Sequence, residues 1–241
     1  MSSQPVTVNA SPGSDTRHQL ISESLKLFAR YGYEGTTTRQ LAKAAGANIA
    51  AIAYHFGGKE GLYKAVIEHI IEDTAPIAEP LRDALRDGIA EARGDRAALA
   101  RLTAGFVSKL MHQMVGNERF RINFLLALRE FSNPSEAFSI LYENRIKHFH
   151  KAVTQLAAAA TGGDPEAPES IMRAHAVMGQ MLIFLFAKPI LLARLDWDSY
   201  TPDRLDEMTK TVVTSVLLSL GLEPPPPNTQ PLTPETRGRN P

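Results

Sequence analysis

Apolar residues recur at intervals of three and four along most of this 241-residue chain, and this spacing constrains the fold more than any other feature. Residues at such intervals share one face of an α-helix, whereas the side chains of a strand alternate between two faces. We find no convincing alternating run and no internal repeat. The pattern therefore predicts an all-α fold of about nine or ten helices.

The two ends of the chain lack this periodicity. Residues 1–15 are rich in Ser, Pro, Gly and Asn, and residues 223–241 contain seven prolines. Proline removes a helical hydrogen bond, so the C-terminal segment is not helical. We predict a flexible N-terminal arm over 1–15 and a disordered Pro-rich tail over 223–241.

The composition excludes several classes of site. The chain contains no cysteine, which rules out disulfides, thiolate metal sites and a cysteine nucleophile. Lys plus Arg equals Asp plus Glu at 26 each, so any basic surface is local. The first residues do not resemble a secretory signal, and the most apolar run, residues 181–187, is too short to span a bilayer. We expect a cytoplasmic protein without a membrane partner.

Three helices near the N-terminus have the outline of a helix-turn-helix. They span about 16–32, 37–45 and 48–56, and Gly46 supplies the left-handed residue that the tight turn requires. Helices of about eight residues are not stable alone. The two short helices therefore need to pack on each other and on the first helix, through residues such as Leu41 and Ile52.

The charge pattern of this segment favours contact with nucleic acid. No acidic residue occurs from Gly35 to Lys59, whereas Arg39 and Lys43 are basic. A surface that meets phosphates works by displacing condensed cations, and carboxylates oppose this. The alternative is that an Ala-rich segment of 25 residues lacks acids by chance.

Residues 17–66 resemble the N-terminal domain of TetR-family transcription regulators. The matching features are the entry Gly35–Thr38, the turn at Gly46, the run Tyr54-His55-Phe56 and the pattern Lys59-Glu60-x-Leu62-Tyr63. The resemblance implies that residues 48–54 form a recognition helix in the major groove of double-stranded DNA. The DNA-binding residues that it implies are Thr38, Arg39, Asn48, Ile49, Ala50, Ala51, Tyr54, His55 and Lys59.

The resemblance also implies a role for most of these side chains. Thr38 would cap the second helix and bond a phosphate, and Arg39 would reach a phosphate or a guanine edge. Tyr54 and Lys59 would hold the DNA backbone. His55 would either contact a phosphate or pack inside the domain.

Two readings remain open for Ile49. Helical spacing groups it with Ile52, Ala53 and Phe56, which predicts burial, whereas the family alignment points it at DNA. In the first case, sequence specificity falls on Asn48, Tyr54 and Arg39. In the second case, Ile49, Ala50 and Ala51 form an apolar surface suited to thymine methyl groups.

The rest of the chain resembles the TetR-family branch with a CecR-like (CerR-like) C-terminal domain. The resemblance rests on residues 128–131 (LREF), 133–138 (NPSEAF), 179–181 (GQM) and 195–197 (LDW). It implies control of genes for drug export or xenobiotic tolerance. Residues 63–222 contain no nucleotide-binding glycine motif and no metal-ligand spacing, so we expect neither a cofactor nor a metal.

Residues 63–222 are predicted to bind a small apolar effector and to form a homodimer. The candidate pocket residues are apolar or polar side chains on the middle and late helices: Met111, Met114, Phe120, Arg121, Phe124, Glu130, His175 and Phe184. The alternative is that these side chains are ordinary core. For the dimer we expect the last two helices to pair, with Ala174, Gly179, Val213, Val216, Leu217 and Leu220 at the contact.

The predicted organisation is a DNA-binding domain over 16–62 and an effector-binding and dimerisation domain over 63–222. The predicted function is a regulator, in the form of a repressor, that a small molecule releases from a palindromic operator. A dimeric DNA-binding protein without an effector remains an alternative. An all-helical enzyme is a weaker one, because no Ser/His/Asp or paired-carboxylate arrangement stands out.

Overall fold

A computed structural model describes residues 12–224, and its regular structure over this range is entirely helical. The bounds of its eleven α-helices are α1 Pro12–Tyr31, α2 Thr38–Ala44, α3 Ile49–Phe56, α4 Lys59–Ala92, α5 Arg96–Gly116, α6 Glu118–Ser132, α7 Phe138–Leu141, α8 Lys147–Thr161, α9 Pro168–Phe186, α10 Lys188–Leu195 and α11 Pro202–Ser219. A π-helical turn, Tyr142–Ile146, joins α7 to α8. The all-α prediction is confirmed.

The chain forms two compact units. The first contains residues 12–79 and 117–149, and the second contains residues 80–116 and 150–224. Helix α4 runs through the boundary, so its first half belongs to one unit and its second half to the other. The predicted boundary between a DNA-binding domain over 16–62 and an effector-binding domain over 63–222 is a division by function. The two compact units do not test it, so it stays a prediction.

The core of the first unit is formed by the N-terminal helices together with α4 and α6. Residues with almost no exposed surface include Leu20, Phe28, Leu41, Ile52, Leu62, Val66, Ile67 and Leu126. The two short helices α2 and α3 contribute Leu41 and Ile52 to this core, as their marginal intrinsic stability requires. The second unit has its own core, in which α5, α9 and α11 contact one another.

Helix α1 begins earlier than the sequence predicts. The predicted start lies near Asp15, but the helix starts at Pro12. Proline suits the first helical position because the N–H that it lacks has no partner there in any helix. The rest of the predicted flexible arm, residues 1–11, and most of the predicted tail, residues 225–241, lie outside the described residues.

Helix α4 is continuous where the sequence predicts a break. Pro76 and Pro80 suggest two helices, but a single helix of 34 residues passes through both. Both prolines are exposed, as is Glu72, so the carbonyls of Glu72 and Pro76 that lose their helical donors lie on the solvent side.

Two predicted long helices are interrupted instead. The helix predicted over 135–160 consists of α7, the π-helical turn and α8. The helix predicted over 168–193 ends at Phe186, and α10 continues at an angle of 65°. Pro189 explains this bend, because its ring clashes with the carbonyl of Leu185 in a continuous helix. Within the described residues, no single helix is both long and apolar enough to span a bilayer.

Candidate nucleic-acid interface

The start of α2 is fixed by a capping box. The Thr37 hydroxyl accepts the N–H of Gln40 at 3.3 Å, and the Gln40 side-chain oxygen accepts the N–H of Thr37 at 2.8 Å. Thr38, predicted to be the cap, is the first helical residue and is half-buried. The prediction is wrong by one residue, because a cap needs the extended backbone that Thr37 has (φ −101°, ψ 152°).

The turn between α2 and α3 follows the predicted chemistry. Gly46 has φ +60°, a left-handed conformation in which an L side chain is strained. Asn48 then caps α3, since its Oδ1 accepts the N–H of Ala50 at 3.0 Å. Gly57, with φ +73°, ends the helix. Helix α3 therefore has defined ends and a fixed direction.

The inner face of α3 holds the helix in the first unit. Ile52 is 1% exposed and belongs to the core cluster. Ala51 and Phe56 are partly buried and pack against the same cluster. Ala51 therefore lies on the side of α3 that faces the protein.

The outer face of α3 is apolar and open to solvent. Tyr54 is 85% exposed and Ile49 is 46% exposed, and Ala50 and Ala53 are exposed beside them. Positions 49, 50, 53 and 54 share one side of a helix with 3.6 residues per turn. Of the two readings of Ile49, the structure favours the one that the family alignment gave. It also places Ala53, rather than Ala51, on the outward side.

The cationic side chains around this face have aromatic neighbours or are free in solvent. Lys59 Nζ lies 4.1 Å from the centre of the Tyr33 ring, and the Arg17 guanidinium lies 5.4 Å from that of Phe56. Such contacts fix the direction of a flexible cation without neutralising it. Arg39 is exposed, and the half-buried His55 ring packs edge-on against Tyr54 at 4.8 Å.

The acid-free stretch is bounded by Glu34 and Glu60. Glu60 accepts a hydrogen bond from Lys64 at 2.5 Å, and this bond lowers the pKa of the Glu60 carboxyl. The nearest carboxylate after α3 is therefore paired with a cation. Every uncompensated charge from residue 35 to 59 is positive, which suits a surface that approaches phosphates.

Behind this surface, a buried carboxylate joins α4 to the end of α6. The hydroxyl of Tyr63 donates to Glu130 Oε1 at 2.5 Å, and Ser135 donates to Glu130 Oε2 from its N–H at 3.0 Å and from its hydroxyl at 2.9 Å. Burial, reinforced by this hydrogen bond, raises the pKa of Tyr63 far above its usual value. Glu130 was predicted to anchor an effector, but both its oxygens already have donors.

Arg129, next to this carboxylate, binds the last turn of α1. Its Nε donates to the carbonyl of Ala29 at 3.0 Å, and its terminal nitrogen donates to that of Arg30 at 2.8 Å. The last carbonyls of a helix lack internal donors and carry partial negative charge, so a guanidinium is a good partner there. The sequence does not indicate this contact, although residues 128–131 belong to a motif of the resembling family.

An open cleft of about 760 Å³ lies in the first unit beside these contacts. Its walls include Tyr31, Tyr33, Lys64, Arg129, Glu130 and Asn133. Of the eight residues predicted for the effector pocket, only Glu130 lines it.

The other predicted pocket residues fall in both units. In the first, the Phe120 and Phe124 rings stack at 6.4 Å, and Arg121 is paired with Glu118. In the second, Met111 and Met114 are buried. Phe184 is half-buried, and the exposed His175 has its ring 5.8 Å from that of His150. Their joint role in effector binding stays a prediction.

The geometry defines a helix-turn-helix DNA-binding protein, and comparison with known proteins specifies it further. Residues 20–66 match the model of the bacterial regulatory proteins of the tetR family. Residues 98–222 match the C-terminal domain of the HTH-type transcriptional dual regulator CecR. The chain belongs to the TetR family of transcription regulators, in the branch with a CecR-type C-terminal domain. It is a DNA-binding regulator and not an enzyme.

Individual relatives agree with this assignment. The dual regulator CecR of Shigella flexneri is 30% identical over 208 residues, which are 86% of this chain and 92% of that protein. The transcriptional repressor AcnR of Corynebacterium glutamicum is 39% identical over 66 residues, 27% of this chain and 34% of that protein.

Solved structures share the fold at low sequence identity. AibR, solved with isovaleryl coenzyme A and operator DNA, superposes with a TM-score of 0.58 at 13% identity, covering 83% of this chain and 97% of that one. A transcriptional regulator from Rhodococcus sp. Rha1 gives 0.51 at 20% identity, covering 90% of this chain and all of the other.

Proposed function

We propose that the chain is a homodimeric repressor that holds a palindromic operator through the outer face of α3 and is released by a small apolar effector. The observation that carries the proposal is the exposure of Ile49 and Tyr54 on a capped recognition helix within an acid-free stretch. Neither side chain is fully buried, and their exposure on the same side of one helix favours contact with another molecule.

The proposed DNA contacts divide into two groups. Arg39, Tyr54, Lys59, His55 and the hydroxyl of Thr38 act on the phosphate backbone, which sets position and affinity. Asn48 and the exposed isoleucine and alanine side chains of α3 approach the base edges, which sets sequence preference.

The proposed dimer interface lies on the outer faces of α9 and α11. Several of the side chains predicted for it are buried inside their own unit, namely Ala174, Val216, Leu217 and Leu220. The exposed residues of α9 include a stripe at alternating four- and three-residue spacing, the spacing of a helix-pairing seam: Met172, Ala176, Gly179, Ile183 and Phe186. Leu218 on α11 is 64% exposed as well, and an added Cβ at Gly179 meets nothing within 4 Å.

Two copies are needed because one α3 spans too few base pairs for a specific site. A two-fold dimer presents two recognition helices to half-sites about one helical turn apart, or a multiple of it. A bound effector would favour a different spacing, and it acts only through its unequal affinity for the two states. We propose the first half of α4 as the lever, since it follows α3 directly and its Tyr63 is held by Glu130 of α6.

Binding of a small-molecule effector is supported by the CecR-type C-terminal domain, by the apolar side chains of the middle helices and by AibR, a protein of this fold solved with both isovaleryl coenzyme A and operator DNA. Control of drug efflux or xenobiotic tolerance genes follows from the same resemblance. Because such a regulator acts at DNA, we place it in the cytoplasm.

Selection of bound sites from random DNA tests the DNA-binding part. We expect an inverted repeat, and an affinity that falls at least about tenfold between 50 and 200 mM salt. Recovery of a single, unrepeated half-site would contradict the dimer. Recovery of no sequence, together with salt-independent binding, would contradict the proposal as a whole.

Variants of α3 test the named residues on the selected operator. Tyr54→Ala should weaken binding by more than about 1 kcal/mol. Asn48→Ala would also remove the cap of α3, so the informative change is Asn48→Ser, which retains a capping oxygen but lacks the amide donors. If both Tyr54→Ala and Asn48→Ser bind like the parent in a titration, α3 does not read DNA as proposed.

Thermal-shift screening against apolar drugs and dyes tests the effector. A compound that stabilises the protein should weaken operator binding by about 5- to 150-fold when it saturates the site. Equal operator affinity with and without that compound would contradict release by it and favour a regulator that only dimerises and binds DNA.

A further inference from the structure

The outer face of α3 offers almost no hydrogen-bonding group to a base. Of its four exposed positions, 49, 50, 53 and 54, three are Ile or Ala, and the only polar side-chain atom is the Tyr54 hydroxyl. Direct reading of bases commonly uses paired donors and acceptors from Arg, Asn or Gln. This face lacks all three, so it needs another way to distinguish base pairs.

The nearby amides are occupied by local structure. Asn48 Oδ1 accepts the N–H of Ala50 at 3.0 Å, and Gln40 Oε1 accepts from both the N–H and the hydroxyl of Thr37 at 2.8 Å. An amide whose oxygen is committed in this way has lost half of the donor–acceptor pair with which it would recognise adenine. The Asn48 nitrogen can still donate to a base, and the other large side chain available at the first turn of α3 is the isoleucine.

We infer that Ile49, supported by Ala53, reads the 5-methyl group of pyrimidines in the major groove. The inference rests on the proposed function, in which this face of α3 enters that groove. Thymine is the only standard base that presents a methyl group there, and apolar side chains recognise it by contact. The first turn of a recognition helix is also the part that usually reaches the base edges.

Ile49 and Ala53 contribute differently to the recognition of the methyl group. Ile49, 46% exposed, has a branched side chain long enough to cover a methyl group. Ala53 lies one turn further along the same side of α3 and is also exposed. Its single methyl allows the helix backbone to approach the DNA closely, where a larger side chain would hold it away.

The same chemistry extends to methylated cytosine. The 5-methyl group of 5-methylcytosine occupies the position of the thymine methyl, so Ile49 can contact either. We therefore expect operator binding to respond to cytosine methylation at the position that Ile49 covers, although cytosine itself lacks the recognised group.

Deoxyuridine substitution tests the inference, because it removes the methyl group and leaves every hydrogen bond of thymine in place. The operator is first selected from random DNA with the parent protein, and its thymines are then replaced one at a time. We expect one or two positions per half-site at which the change weakens binding about fourfold, as the loss of one buried methyl predicts. The other positions should show no effect.

A double-mutant cycle assigns the effect to Ile49. Ile49→Ala should bind the parent operator more weakly and should lose the sensitivity to deoxyuridine at its position. Ile190→Ala is the matched control, because Ile190 is also highly exposed but lies on α10. This control should keep both the affinity and the sensitivity, and circular dichroism should show that both variants are folded.

A second part of the experiment compares thymine and 5-methylcytosine as sources of the methyl group. At the sensitive position, exchanging thymine for cytosine should weaken binding, and 5-methylcytosine should recover about fourfold relative to cytosine. Equal binding to thymine and deoxyuridine everywhere, or undiminished sensitivity in Ile49→Ala, overturns the inference while the proposed function stands. Failure to select any DNA overturns the proposed function and this inference together.

Discussion

The outer face of α3 and the end of α6 differ in what they leave exposed and what they bury. The first leaves Ile49 and Tyr54 in solvent, whereas the second buries the carboxylate of Glu130 among three hydrogen bonds. Exposed apolar groups add little to folding, and buried carboxylates are tolerated only with partners. Environment, rather than residue type, therefore separates the surface proposed to read DNA from the structure that supports it.

The two isoleucines of α3 give the largest contrast. Ile52→Ala should lower the free energy of unfolding by about 3 kcal/mol, because it opens a cavity in the core of the first unit. Ile49→Ala should lower it by less than about 0.5 kcal/mol. Denaturant unfolding followed by circular dichroism measures both. Comparable losses in the two variants would mean that Ile49 packs against the protein.

Glu130 and Glu136 provide the same contrast between a buried and an exposed residue, here for two carboxylates. Glu130→Gln should cost about 2 kcal/mol of stability, because an amide cannot accept from Tyr63 and from both Ser135 donors. Glu136 is exposed and bonds Lys64 at 3.0 Å, so Glu136→Gln should change stability by no more than about 0.5 kcal/mol.

Tyr63→Phe provides an independent check on this buried network. It removes the donor to Glu130 Oε1 and should cost about as much as Glu130→Gln. Since the two residues share one bond, their effects should not add in the double variant. Additive losses in thermal unfolding would show that the Tyr63–Glu130 bond does not carry the effect.

Local chemistry explains why much of the DNA-binding unit is predictable from its sequence. The turn needs Gly46 and the short helices need Ile52 in the core, so each of these features is encoded within a few residues. The cap of α2 is predicted one residue late, at Thr38 instead of Thr37, because neighbouring threonines offer the same capping oxygen. The direction of Ile49 cannot be predicted from periodicity alone, because a helix of eight residues gives too few turns to separate its two faces.

The features that were missed depend on residues distant in sequence. Glu130 meets Tyr63 across 67 positions, and Arg129 meets Ala29 across 100. No local pattern distinguishes such a carboxylate from an effector anchor. The continuity of α4 was missed for a related reason, since whether a proline breaks a helix depends on whether the freed carbonyl faces solvent.

The neighbouring threonines Thr37 and Thr38 give the same kind of contrast, between a residue that supports the fold and one proposed to contact DNA, with a smaller expected change in the free energy of unfolding. Thr37→Ala removes the oxygen that accepts the Gln40 N–H and should cost about 1 kcal/mol. Thr38→Ala leaves the capping box intact and should have a smaller effect on stability. It should instead weaken operator binding, if its hydroxyl bonds a phosphate. A larger loss of stability in Thr38→Ala would contradict the assignment of the cap.

Two histidines of the second unit extend the comparison to protonation. Burial, and then the nearby His175, lower the pKa of His150, whereas hydrogen bonds to the Ser108 carbonyl and then to Asp206 raise that of His112. The share of stability due to His150 is present above about pH 6.5 and is lost as the pH falls from there toward its lowered pKa. The share due to His112 is present below about pH 6.5 and is lost as the pH rises through its raised pKa.

The opposite shifts of these two pKa values give the smallest predicted effect on the free energy of unfolding. Between pH 7.5 and 5.5, His150→Gln should lose less unfolding free energy than the parent, because the unfavourable protonation of a half-buried ring is gone. His112→Gln should lose more, because a favourable protonation is gone. Denaturant titrations at the two pH values measure, for each variant, how the free energy of unfolding changes with pH. If the pH dependence of the free energy of unfolding shifts in the same direction in both variants, relative to the parent, then residue type, and not environment, sets how these histidines respond to pH.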